Sequence, residues 1–183
     1  MDKRYLIQIA KDAILEELLQ KPLIDREELL KKYSHLSYKG AVFVTLQNRK
    51  NLRGCIGTLI AHRTLLDDLI SNAKAAAFQD NRFRPLTKTE FDDKNFTVEV
   101  SLLSTPKPLR YKDIDDLKKK IKVGVDGVII KYRGYQATFL PQVWEQLPKF
   151  DAFFSNLCKK ARMRSNCLEG HPDIYLYRVQ MIK

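Results

Sequence analysis

Leu52-Arg53-Gly54-Cys55-Ile56-Gly57 follows a strand-like run at 41–47, across a polar turn, Asn48-Arg49-Lys50-Asn51. Together they predict a β-hairpin of residues 41–47 and 52–60. Two of the chain's seven glycines stand here, three positions apart, on either side of the only cysteine in the first half. Glycine inside a strand sacrifices packing and entropy, so the pair marks a bulge or a close backbone approach. Arg53 and Cys55 share parity, so an unbroken strand would present both on one face, with Leu52 and Ile56 on the other. A guanidinium beside a thiol favours the thiolate, the nucleophilic form. The stretch is therefore a candidate reactive site.

Working outward, Leu6, Ile9, Ala10, Ala13 and Ile14 recur at helical spacing and predict a helix over 3–20, ending before Lys21-Pro22. Asp25 with Glu28 three residues on predicts a capped helix to Lys32, then a loop with an exposed His35. Thr64 and Asp67 open a helix to Phe78 whose alanines suit close packing on a sheet. His62, between hairpin and helix, is either a group that orients the thiol or a plain loop histidine.

The loop 80–86 places Arg82 and Arg84 on one side of an extended chain with Phe83 between them. Guanidinium forks bind carboxylate or phosphate bidentately, so this loop suits an anionic ligand; the alternative is a solvated charged loop. Residues 95–104 alternate as a strand, with Phe96, Val98, Val100 and Leu102 opposite Thr97, Glu99 and Ser101. Glu99 is the lone carboxylate in that run and a candidate general base if its face meets the Cys55 strand. Pro106 and Pro108 are expected to end this strand, and Asp113 to cap a helix to Lys120.

A second hairpin, 128–132 and 135–140, turns at Arg133-Gly134. Gly124 and Gly127 flank Asp126 without the spacing of a phosphate loop. A helix from Pro141 to Leu147, core positions for Phe139 and Trp144, a helix over 152–162 capped by Asp151 and a closing strand over 174–182 complete the pattern. Hairpins with helices grouped between them define an α+β class with a largely antiparallel sheet.

A length of 183 residues suits one domain over 1–183, and 44% hydrophobic residues supply a sizeable core. No apolar run reaches the ~18 residues of a membrane span, and the charged beginning is unlike a signal peptide, which places the chain in the cytoplasm. Three cysteines, an odd number, argue against a disulfide framework and for buried thiols at Cys158 and Cys167. With His171 these two lack zinc-site spacing, so no metal and no cofactor is expected. The net charge of +11 comes from dispersed lysines. It implies only weak, salt-labile nucleic-acid binding, ~10⁻⁴ to 10⁻⁶ M, and the chain lacks the aromatic-and-basic alternation of an RNA-reading strand.

The chain resembles the AMMECR family, known in prokaryotes as protein A of the AmmeMemoRadiSam system. The resemblance rests on LRGCIG at 52–57, Ala75 to Phe78 with DNRFRPL after it, and VEVSLLSTP at 98–106. It continues through VGVDGVII at 123–130, LPQV at 140–143 and LCKKA at 157–161, covering about Gly40 to the end. At Arg162-Met163 the chain departs from the family, which more often has glycine and then a leucine-like residue. The resemblance implies a larger and a smaller lobe with a cleft between them, and association with a Memo-type protein and a radical-SAM protein. Carried over by motif, it implicates Arg53, Gly54, Cys55 and Gly57, with Arg82, Phe83 and Glu99 as weaker positions. It names no reaction. A cysteine-dependent enzyme acting on an anionic small molecule or a modified macromolecule, and a binding or scaffold module for a protein partner or RNA, both fit. The functional surface is expected at the edge bearing Arg53 and Cys55, walled by the 80–86 loop with Arg82 and Arg84.

Overall fold

The helical and alternating patterns become α1 (Tyr5–Leu19), α2 (Arg26–Lys32), β1 (Ala41–Asn48), β2 (Asn51–Gly57), α3 (Leu65–Phe78), α4 (Lys88–Phe91) and β3 (Phe96–Leu103). Then follow β4 (Lys107–Leu109), α5 (Ile114–Lys120), β5 (Gly127–Tyr132), β6 (Tyr135–Phe139), α6 (Val143–Gln146), α7 (Phe150–Lys160), β7 (Asp173–Tyr177) and β8 (Val179–Ile182). These come from a computed structural model that describes residues 3–183. The chain forms two compact units, one of residues up to Leu103 together with Gln180–Lys183, the other Ser104–Val179. The α+β class holds, and the strands divide into two four-stranded sheets, β2-β1-β3-β8 and β4-β7-β5-β6.

In the first unit β1 pairs antiparallel with both β2 and β3. Val42, Val44 and Leu46 from β1 meet Val98 and Val100 from β3 on the inner face, covered by Leu6, Ile9, Ala10, Ala13 and Ile14 of α1. The stripe read from the sequence is thus the buried one. Asp25 and Thr64 cap their helices by accepting the N–H groups of Glu28 and Asp67. Arg49 and Lys50 both adopt left-handed φ, 51° and 66°, which matches a two-residue turn to the twist of its strands. His35 is not simply exposed: it is half-buried and hydrogen-bonded to Tyr5. Under the sheet, Asp68 is fully buried and accepts from Val42 N (2.9 Å), Thr58 Oγ1 (2.7 Å), Arg63 Nε (2.8 Å) and Asn72 Nδ2 (3.0 Å). Four donors satisfy a carboxylate that would otherwise be costly to bury.

β2 ends at Gly57 rather than at residue 60, and its glycines are used for packing. A Cβ on Gly54 would fall 2.1 Å from the Ala76 carbonyl oxygen of α3, and one on Gly57 would fall 2.2 Å from the Phe43 ring. The close approach inferred from the pair is therefore that of α3 and of a cross-strand aromatic.

In the second unit, Trp144 stacks on Phe153 and donates Nε1–H to the Asp126 carbonyl at 2.9 Å. The hairpin turn at Arg133-Gly134 is as expected, both residues at positive φ. Four details differ from the sequence reading. β3 does end at Leu103, ahead of the two prolines, but Pro108 itself sits in a further strand, β4, at a sheet edge where a missing N–H can be tolerated. Asp151 lies inside the first turn of α7, whose N-cap is Lys149. The closing segment is two strands in two sheets, separated at Arg178, whose N–H bonds Ser104 Oγ. Cys158 and Cys167 form a disulfide, so neither is a free thiol or a thiolate for zinc.

α7 ends in a Schellman arrangement, Met163 N–H to Cys158 O and Arg162 N–H to Lys159 O, both 2.9 Å. Arg162 has φ 59°, the left-handed conformation that glycine adopts without strain. The departure from the family pattern thus falls on the helix cap.

Two stability measurements check these readings by urea unfolding. Gly54→Ala should cost about 3 kcal/mol, the upper end of overpacking losses, because the obstructing atom belongs to the backbone. Arg162→Gly should stabilise the protein by about 1 kcal/mol through relief of left-handed strain.

Candidate functional site

β2 is an edge strand. Cys55 faces Thr45 across the ladder, and its N–H and C=O are both directed away from β1. That is the arrangement of a non-hydrogen-bonded antiparallel pair, in which side chains approach most closely. Cys55 Sγ lies 3.4 Å from Thr45 Oγ1.

The outward backbone groups of Cys55 do not meet another strand. Asp80 Oδ2 accepts the Cys55 N–H at 2.8 Å, and Arg82 Nη2 donates to the Cys55 carbonyl at 3.3 Å. Asp80 also accepts Arg82 N–H (3.2 Å), Nε (2.9 Å) and Nη2 (2.7 Å). These Arg82 hydrogen bonds, first, and that from Cys55 hold the Asp80 carboxyl well below its usual range although burial opposes ionisation. The two side chains act as a substitute neighbour for the edge.

Beside this clamp, a register shift between Leu46 and Gln47 makes Leu46 oppose Gly54 and Gln47 oppose Leu52. Arg53 is the extra residue of a bulge, which breaks the expected alternation. Leu52 consequently falls on the face of Thr45 and Cys55, whereas Ile56 packs against the core, so the two do not share a face. The Arg53 side chain runs instead to Glu90, Nε to Oε1 at 2.9 Å and Nη2 to Oε2 at 3.1 Å, and to the Arg84 carbonyl at 2.9 Å. Its Nη1 is buried with no hydrogen-bond partner. Phe83 has both guanidiniums nearby, Arg53 at 5.8 Å and Arg82 at 5.5 Å.

Glu90 closes a capping box with Thr87 at the start of α4. Arg53 first, then the Thr87 bonds, lower its pKa to about 2. The loop does not present two free forks on an extended strand: Phe83 N–H bonds back to Asp80 O in a turn, and Arg53 and Arg82 are engaged by carboxylates although the Arg82 side chain stays exposed. Arg84 is exposed with no carboxylate against it among the described residues.

Glu99 shares the Cys55 face. It opposes Thr45 on β3, so Cys55, Thr45 and Glu99 form a row across three strands. Adjacent strands lie about 4.8 Å apart, which puts the Glu99 and Cys55 backbones roughly 10 Å apart, beyond direct proton transfer. Lys183 Nζ holds Glu99 at 3.1 Å. His62 is exposed and bonds the Ile60 carbonyl. Sequence reasoning missed Asp80, Glu90 and Thr45. The spacing of Thr87 and Glu90 was a legible cap, but nothing in the sequence showed which arginine Glu90 would hold.

The site and fold define an α+β protein with a free, half-buried thiol on a side-chain-clamped edge strand. The AMMECR1 family model matches residues 7–182, and the chain belongs to that family. It is 39% identical over 177 residues to a protein of Saccharolobus islandicus, covering 90% of this chain and 73% of that one. A protein of Methanothermobacter thermautotrophicus is 37% identical over 183 residues, covering 97% and 90%. The crystal structure of an uncharacterized protein from Pyrococcus horikoshii matches with TM-score 0.78 and 31% identity, over 97% of this chain and 89% of that one.

A depressed carboxylate contributes stability above its unfolded pKa and loses it as pH falls through the folded one. For Glu90 that window runs from 4.5 down to about 2. Glu90→Gln should flatten this part of the acid-unfolding curve and lower stability near neutral pH by about 1 kcal/mol or less, since the pair is partly solvated. Circular dichroism across that pH range gives the comparison.

Proposed function

We propose that the open face of the first sheet around Cys55 is the working surface, and that the protein acts through this thiol on an anionic small molecule or a modified macromolecule. The setting is a cytoplasmic modification pathway shared with a Memo-type protein and a radical-SAM protein. One observation supports the reading above others: Cys55 is a free cysteine whose own N–H and C=O are both fixed by an ion pair. A thiol on a backbone held this way is pre-positioned, which is what nucleophilic chemistry requires. Arg82, held charged first by Asp80, lies within electrostatic reach of the sulfur.

Thiol catalysis also wants a base and a group that orients it. The Cys55 row offers the Thr45 hydroxyl, with Glu99 one strand further, so direct deprotonation would fall to the substrate or a partner. A second reading draws on the internal pairing of Arg53 and Arg82 and the filled space at Gly54 and Gly57. On that reading the motif shapes a non-catalytic surface that binds a protein partner or, less favourably, RNA.

Cys55→Ser separates the two. It should change stability by less than about 1 kcal/mol, the range of mild substitutions, while abolishing in vivo complementation. Iodoacetamide should label Cys55 of the wild type near neutral pH. Complementation by the serine variant would assign the surface to binding rather than thiol chemistry.

A further inference from the structure

The Cys55 motif does not use the chain's excess positive charge, because its buried arginine and Arg82 are already neutralised by Glu90 and Asp80. Elsewhere in the first unit, a cavity of about 830 Å³ is lined by Arg4, Lys11, Arg49, Lys50, Lys94 and Lys183. Among the described residues the one carboxylate on its wall is Glu99, which Lys183 holds at 3.1 Å. The cations come from four places far apart in sequence: α1 and the Arg4 that precedes it, the β1–β2 turn, the approach to β3 and the segment after β8. Lysines dispersed along the sequence are thus gathered by the fold around one concavity.

We propose that this cavity binds a small molecule carrying two or more phosphate groups and no aromatic ring. Its volume falls in the range of small-molecule sites, about 300–1,000 Å³. Among the described residues Lys11, Lys50 and Lys94 form no ion pair, whereas Lys183 is held by Glu99 and Arg49 lies 4.0 Å from Asp93. The three lysines make the local field positive, and like charges brought together are relieved by a multivalent anion. Among the described residues no aromatic side chain lines the cavity, so it lacks the stacking platform by which nucleobases are held. Ile7 and Val98 supply its apolar wall, enough for an aliphatic or sugar moiety. Because Glu99 borders both this cavity and the Cys55 row, an anion seated here would lie beside the thiol face. The binding proposal itself does not depend on what Cys55 does.

Isothermal titration of the full chain with inorganic pyrophosphate and tripolyphosphate tests it. Both should bind, tripolyphosphate more tightly, with affinity falling as salt rises. The double variant Lys11→Glu/Lys94→Glu should weaken binding roughly tenfold or more, as expected for loss of charge-assisted contacts. Lys31→Glu/Lys119→Glu, with the same change in net charge at exposed sites elsewhere, should bind nearly as the wild type, and circular dichroism should show both variants folded. Cys55→Ser should bind unchanged, which keeps the outcome separate from the thiol reading. Absence of binding at millimolar concentrations, or equal loss in the two double variants, would overturn the proposal. So would a single-stranded RNA that binds more tightly than tripolyphosphate and loses affinity with the same cavity reversals. ATP binding much more tightly than tripolyphosphate would overturn the exclusion of an aromatic ring.

Discussion

The Asp80–Arg82 pair, bonded to the outward backbone of Cys55, is the interaction on which the rest of this site depends. An edge strand exposes a row of unpaired donors and acceptors that invites pairing with other chains. Here a carboxylate and a guanidinium occupy the place of the next strand at one residue. Asp80 is only 6% exposed, so its charge must be satisfied internally, and the donors of Arg82 and Cys55 do so. Once that pair is formed, the loop after α3 has little freedom, and Phe83, Arg84 and Glu90 come within reach of Arg53.

The bulge at Arg53 and the glycine at 54 are parts of the same device. Gly54 lets β2 lie against the backbone of α3, an approach that a single Cβ would block. The extra residue next to it turns the Arg53 side chain out of the row occupied by Cys55 and toward α4. The motif's positive charge is consequently spent inside the fold. Among the described residues, Lys11, Lys50 and Lys94 keep their charge outside any ion pair, and they converge from separate segments on the concavity beside α1 and β3.

The second unit is held by a different combination: an aromatic cluster around Trp144 and Phe153, and a disulfide joining α7 to the turn after it. The bridge spans nine positions of sequence and, in a chain-entropy account, limits the unfolded ensemble by about 2.5 kcal/mol. It also explains why counting cysteines misled: an odd total is compatible with one bridge and one free thiol, and the free one is Cys55.

Local chemistry determined a good deal without help from tertiary structure. Asp25, Thr64 and Asp113 announce helix starts because their side chains bond backbone N–H groups three residues on. The 3.6-residue stripe of α1 and the alternation of β3 follow from which faces could be buried. The importance of residues 52–57 was legible too, since paired glycines in a strand need a reason. What the glycines faced, where parity broke and which carboxylate each arginine took were decided only in three dimensions. The clamp on Cys55 and the partner of Arg53 rest on contacts 25 and 37 residues apart, with Asp80 and Glu90. The division of the last segment into β7 and β8 is of the same kind, because alternation tells a strand that one face is buried but not which sheet buries it.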